Sequence, residues 1–404
     1  MTVPNPADVT GLNLADPRTH AQNELGELWR YLRSEHPVFW HAPAGSAPGF
    51  WVLTRYDDIV SVYRDAGRFS SERGNVLASL LTGGDSAGGR MMAVTDGPRH
   101  SAMRKLLSGA FVPRFLDIVA EQVHAATRRL LVEAAHRGQC DFARDVAAHI
   151  PLATICELLG VPPEDRQFLL RLTSAALSST QPTQSAAEVW LARNEILLYF
   201  TGLARARRDT PHADVVSLLA THRVDGEYLT MDEVILNCYS LILGGDETTR
   251  LSMVGAAAAL IDHPRQWDAL RRGAVDTAKA VEEVLRWATP AMHAGRTATE
   301  DVVIRGQRIR AGEIVTLWNT SANRDERVFR DAAVLDFGRS PNRHLAFGYG
   351  AHFCLGAALA RIEIGALLGG LRSVVSVLTP SGDRRRIFSN FLSGYGSLPV
   401  ILTS

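Results

Sequence analysis

The chain has 404 residues, with 43 basic and 43 acidic side chains and a formal net charge of zero. That balance excludes a broadly basic surface for nucleic acid or for an anionic membrane. With 46% hydrophobic and 21% charged residues, the composition is that of a globular protein with a large core, not of a disordered or low-complexity chain.

Met1–Asp8 is polar, contains Pro4 and Pro6, and lacks a basic segment followed by an apolar one. No uncharged apolar run approaches the ~20 residues that span a bilayer, so a soluble, cytoplasmic protein is expected. Val38–Trp40 and Phe50–Thr54 read as short strands around a loop containing Pro43, Gly45, Pro48 and Gly49. From about residue 97 to 288 the pattern is helical, with breaks at Pro113, Pro151, Pro162–Pro163, Pro182 and Pro264. Short β-like pieces return at Val302–Ile304 and Ile314–Leu317. An irregular stretch from about 323 to 351 precedes a last helix around 357–371. The expected class is mainly α with a small β region.

One helix stands out by length. Thr230 and Glu233 form a capping box, and no proline follows until Pro264. That allows about 33 residues, roughly 50 Å at 1.5 Å per residue. Its middle carries Gly244 and Gly245, which cost about 1 kcal/mol each relative to alanine, followed by Asp246, Glu247, Thr248 and Thr249. Two readings fit: a glycine pair for close packing beside a solvated acidic turn, or a helix opened over a ligand with an acid and an alcohol aimed into the gap.

Four cysteines, at 140, 156, 238 and 354, are widely spaced without a CxxC pair. This argues against a disulfide framework or a zinc knuckle and fits a reducing compartment. Cys140, Cys156 and Cys238 read as core thiols. Cys354 differs, because it closes the segment Phe347-Gly-Tyr-Gly-Ala-His-Phe-Cys-Leu-Gly356 just before a helix. Gly348 and Gly350 supply a tight turn, and backbone N–H groups near the sulfur favour thiolate over thiol. A thiolate so placed is a nucleophile or an axial ligand to iron.

The segment resembles the heme-binding loop of cytochrome P450 enzymes, FGxGxHxCxG, and matches it at every fixed position. The resemblance runs from about residue 14 to the end and implies one domain of that fold over residues 1–404. Heme b (iron protoporphyrin IX) would lie between the long central helix and the cysteine loop, with Cys354 as the axial thiolate and Phe347 and Gly348 against the cofactor. Glu283-Val-Leu-Arg286 resembles the family's ExxR pair, and Leu335-Asp-Phe-Gly-Arg339 the segment whose arginine completes a structural Glu–Arg–Arg cluster. Asp336-Phe-Gly338 also spells a kinase motif, but no phosphate loop or HRD accompanies it. Asp96-Gly-Pro-Arg-His100-Ser-Ala-Met-Arg104 is similar to the family's D-P-P-x-H-x-x-x-R helix, with Gly97 where proline is usual. His100 and Arg104 share a face and, with Arg296 and His352, would hold the heme propionates.

Gly244-Gly-Asp-Glu-Thr248 resembles the family's (A/G)-G-x-(D/E)-T. By position Glu247 and Thr248 form the proton-delivery pair, needed because cleaving the O–O bond consumes two protons; Asp246 is expected outside the pocket. The resemblance implies a monooxygenase that takes electrons from NAD(P)H through a ferredoxin and ferredoxin reductase, since no G-x-G-x-x-G is present. The donor would dock near Cys354, against Arg104, Lys105, Arg343 and Arg361. Substrate contacts fall on Met91, Met92, Leu241, Gly244, Met292, His293, Phe391 and Leu392, a mostly apolar set for a medium or large hydrophobic molecule. The motifs resemble those of actinobacterial enzymes that tailor polyketide or peptide antibiotics, which would allow a substrate tethered to a carrier protein. Peroxide-driven or oxidative-coupling chemistry shares the scaffold, and a catalytically silent heme-binding domain needs no acid–alcohol pair. Neither a nucleic-acid nor a membrane partner is expected, and nothing demands more than a monomer.

Overall fold

Apolar residues all round the segment between Thr230 and Pro264 require a helix buried on every side, and that helix organises the molecule. The computed structural model describes residues 11–43, 45–111, 113–177 and 185–404; residues 1–8 and the break at Pro182 lie outside them. Five helices frame the site: α1 (Gly97–Ser108), α2 (Pro113–Arg137), α3 (Met231–Asp262), α4 (Thr277–Ala288) and α5 (Ala357–Val374). The 32-residue α3 begins at the expected capping box: Thr230 Oγ1 accepts the Glu233 N–H and the Glu233 carboxylate accepts the Thr230 N–H.

Two cores meet on α3. Val254, Ala257 and Leu260 pack with Leu131 of α2, Leu285 of α4 and Leu367 of α5. Cys238 and Ile242 face the second core, with Ile155, Leu169 and Phe200 from helices His149–Leu159, Arg166–Leu177 and Ala186–Asp209. The helix runs unbroken through its glycine pair, so the backbone is not opened there. Each glycine follows one of the two readings. A Cβ on Gly245 would lie 3.0 Å from Ile155, whereas one on Gly244 would meet nothing within 4 Å. Gly245 therefore serves packing and Gly244 leaves space.

The β region is small, as expected. Its main sheet has five strands, β1 (Val38–His41), β2 (Phe50–Leu53), β3 (Phe69–Ser70), β4 (Ala294–Ala298) and β5 (Ile314–Leu317), in the order β1-β2-β5-β4-β3. Only the β2–β5 pair is parallel, with Phe50 opposite Ile314. No described helix is long and apolar enough to cross a membrane.

The irregular stretch after β5 contains few regular hydrogen bonds, so side chains must hold it. Glu283 and Arg286, both fully buried on α4, form a two-point ion pair at 2.8 and 2.7 Å. Arg339 Nε joins the same carboxylate at 3.1 Å, Asn342 Nδ2 at 3.0 Å and the Asp336 N–H at 2.9 Å. Spare guanidinium protons go to the carbonyls of Asn323, Ala332 and Val334. Burial pushes the Glu283 carboxyl up, but its bonds to Arg286, Asp336 and Arg339 hold it below the ordinary range. Glu283, Arg286 and Arg339 thus lie together in one buried ion-pair network.

Glu283→Ala leaves two buried guanidinium groups without their anion. Such a change costs about 3–5 kcal/mol, so urea unfolding should show a midpoint far below that of the parent. A midpoint within experimental error of the parent would refute the cluster's structural role.

Candidate active site

The cysteine loop is built by two left-handed glycines. Gly348 and Gly350 have φ of 66° and 73°, and a Cβ on Gly350 would collide with the Tyr63 carbonyl. The Gly348 N–H donates to Leu345 O (2.9 Å) and the Cys354 N–H to Phe347 O (3.0 Å), folding the loop back on itself. Cys354 faces an open cavity although protein surrounds its sulfur on the other sides. Burial raises its thiol pKa, against the downward pull of the Gly356 N–H, Arg104 and Arg361. The sequence reading weighed only that pull, and burial outweighs it in the protein alone. Burial also pushes Cys140 up to about 11 and Cys156 up to about 12, and raises Cys238, as inert core thiols require.

At one end of the cavity two arginines and two histidines converge: His100, Arg104, Arg296 and His352. Arg296 is buried over the Tyr63 ring, and its Nη1 donates to Gly295 O at 2.7 Å. Neither Arg296 nor Arg104 is in an ion pair among the described residues. His100 stacks 4.2 Å from His352, and its Nε2 is buried without a partner. His100 falls to about 4 through burial and the nearby His352 and Arg104.

Asp96, to which the sequence reading gave no role, organises this end. It accepts from His352 Nε2 (3.0 Å), Ser70 Oγ (2.7 Å) and the Ser71 N–H (2.7 Å). Burial pushes its pKa up, but these bonds prevail and hold it down at about 2. Gly97 has φ +62°, which proline's ring forbids, so the departure from the family pattern does reshape the start of α1.

The wall opposite Cys354 comes from α3. Leu241, Gly244, Gly245, Thr248 and Thr249 line the cavity. Thr248 Oγ1 donates to Gly244 O at 2.8 Å. Glu247 does not line it; the carboxylate is buried in a two-point bond with Arg250 on its own helix. Asp246 is outside the cavity as expected, yet fully buried, with Thr173 Oγ1 donating at 2.7 Å. Of the remaining substrate-contact candidates, Met92, His293 and Phe391 line the cavity, as do Phe347 and Gly348. Met91, Met292 and Leu392 do not. Met292 belongs to the core under the main sheet, and Leu392 packs on Leu251 and Ile387.

A match to the family model "Cytochrome P450" covers residues 277–396. The chain is 48% identical to cytochrome P450 NovI of Streptomyces niveus over 99% of its own length and 98% of the relative's. Among solved structures it resembles P450 OxyD, involved in the biosynthesis of vancomycin-type antibiotics. There the TM-score is 0.89 at 36% identity, covering 97% of this chain and 100% of that one. P450BioI, solved with a hexadec-9Z-enoic acid-ligated acyl carrier protein, matches with a TM-score of 0.82 at 29% identity, over 93% and 97% of the two chains. The chain belongs to the cytochrome P450 family.

As a P450 monooxygenase it uses heme b, and the cavity fits that group on its own evidence. The buried Arg296 guanidinium and the half-buried Arg104, neither with an anion among the described residues, call for a ligand bearing carboxylates, and Cys354 is the sole cavity-facing thiol among the described residues. Of the four cations assigned to donor docking, Lys105 and Arg343 are exposed. Arg104 lines the heme cavity, and Arg361 is tied to Glu282 at 2.6 Å while stacking on Phe347.

Glu363 of α5 also lines the cavity, and no motif pointed to it. Burial pushes it up to about 8, against the Thr154 and Thr249 hydroxyls, and pushes Asp246 up to about 7 with help from Glu247. An unfolded chain ionises both near 4. The folded state thus holds these protons more tightly, a contribution complete below about pH 4 and lost as pH rises through about 7 and 8. Urea melts of Glu363→Gln should show a shallower loss of stability than the parent between about pH 5 and pH 8. An identical slope would mean that Glu363 is already ionised in the fold.

Proposed function

We propose that this P450 hydroxylates or epoxidises a medium-to-large hydrophobic acyl substrate while the substrate is tethered to a carrier protein, as a step in polyketide or peptide antibiotic assembly. Likeness to OxyD supports the setting, and the resemblance to a P450 solved with a ligated carrier protein supports the tether. A ferredoxin and its reductase supply electrons at the face carrying Lys105 and Arg343. The whole chain acts as one catalytic domain.

Cys354 would hold heme by its iron, and the bound heme would supply oxygen activation. His100, Arg104, Arg296 and His352 would hold its carboxylates, with the His352 ring directed by its bond to Asp96. The observation that carries the oxygen-activating reading is the Thr248 hydroxyl, which stands at the cavity wall with only the Gly244 carbonyl as its acceptor. Thr248 passes protons into the cavity, and Glu247 replenishes them from the outer side after parting from Arg250. Apolar side chains such as Leu241, Phe391 and Met92 exclude water and hold the substrate.

The reduced, carbon monoxide-bound difference spectrum should show the red-shifted band of thiolate ligation, and Cys354→Ser should lose it. Absence of any heme band after heme supplementation would sink the reading. Thr248→Ala should keep NADPH oxidation but lose most product to peroxide, as expected of a general acid–base contribution of about 100-fold or more. Unchanged coupling would favour the peroxide-driven or oxidative-coupling route. Turnover of carrier-bound thioesters, with the matching free acids inert, would support the tether; turnover of free acids alone would overturn it.

A further inference from the structure

The 24-residue helix Ala186–Asp209 buries only its inner face, where Ala192, Ile196, Phe200 and Ala204 join the second core. Its outer side keeps three large apolar side chains in solvent: Leu198 at 70% exposure, Trp190 at 63% and Leu191 at 52%. Leu191, Glu195, Leu198, Gly202, Arg205 and Asp209 follow one another in alternating steps of four and three, which places them on one outward stripe. Gly202, exposed in mid-helix, costs about 1 kcal/mol relative to alanine. Packing within the chain gives no reason for it, since a Cβ there would meet nothing within 4 Å. Glu195 and Arg205 are exposed on either side of the Leu198–Gly202 turn, and neither has an ion-pair partner among the described residues.

The stripe has the same steps read from either end, with an acid before its centre and a base after it. We propose that this face is a self-docking surface, on which two copies of the chain pair antiparallel about a two-fold axis level with Phe200. Such pairing sets Leu198 of each copy over Gly202 of the other and Glu195 opposite Arg205, each contact made twice by symmetry. Alternating steps of four and three suit two helices crossing at about 20°. A partner of one charge sign would meet Glu195 and Arg205 together, and only a reversed copy of the stripe satisfies both. The stripe is about 27 Å long at 1.5 Å per residue and about 10 Å wide. That is well below the ~800 Å² per partner of a standard interface, so the dimer is a transient one. None of these residues lines the heme cavity, and the pairing stands apart from the chemistry proposed above.

The test is sedimentation velocity of the heme-loaded full chain from about 1 to 500 µM, where the mean mass should rise from monomer toward dimer with a Kd on the order of 10–100 µM. Leu198→Glu should weaken this association at least about tenfold. Glu195→Arg alone and Arg205→Glu alone should each stay monomeric, because like charges then face each other. Mixed in equal amounts, those two variants should form a heterodimer, since each supplies the sign that the other lacks. A parent that is monomeric at every concentration would overturn the proposal, even if Leu198 proved to bind a different protein. A dimer indifferent to all three changes would overturn it too, by placing the interface elsewhere. Should Leu198→Glu fail to fold, the charge reversals decide, and a mixture no more associated than its parts would overturn the pairing.

Discussion

One buried carboxylate carries much of this architecture. Glu283 gathers two guanidinium groups, an amide side chain and a backbone N–H around two oxygens, with no solvent to share the load. Arg286 and Arg339 then reach the carbonyls of residues 323, 330, 331, 332 and 334, which no sheet or helix satisfies. Asn323 continues the chain of constraint, accepting the Leu345 N–H at 2.7 Å while donating to Thr289. Residue 345 in turn accepts from Gly348, where the cysteine loop begins. A site of irregular backbone is thus made rigid by charge, where regular secondary structure is absent.

Long-range consequences of local signals were legible in the sequence where the signal was complete. The T-M-D-E box located the start of α3, and Pro264 its end to within two residues, because caps and prolines act on their own neighbours. Val302–Ile304 and Ile314–Leu317 are strands with the predicted bounds. The cysteine loop was readable because every left-handed turn in it needs glycine. Cavity lining was less legible, for a geometric reason. Met92 faces in and Met91 out, His293 in and Met292 out, Phe391 in and Leu392 out. Met92 opens a 3-10 turn and the other two pairs lie in irregular backbone, so tertiary packing decides which neighbour turns inward, and a motif match places a segment without giving its phase.

Residues recruited across long separations left no signal at all. Asp96 looks like a helix cap, yet its partners are Ser70, Ser71 and His352. Glu363 sits in an amphipathic helix as one more acid, and only the packing of α5 on the helix His149–Leu159 and on α3 makes it a buried group beside Thr154 and Thr249. Gly244 and Gly245 are adjacent and identical in type, yet one faces space and the other Ile155. Their difference lies in helical phase relative to two unrelated neighbours.

The gathering of His100, Arg104, Arg296 and His352 around an anion they do not themselves supply also bears on the life of the chain in its cell. Until the anion is present, the Arg104 and Arg296 charges face one cavity with no counter-charge between them. Filling it stabilises the native state by mass action, in proportion to the logarithm of free ligand. A chain made faster than heme is delivered spends longer in open states exposed to proteases. Cofactor supply thus contributes to the persistence of the fold as well as to its chemistry.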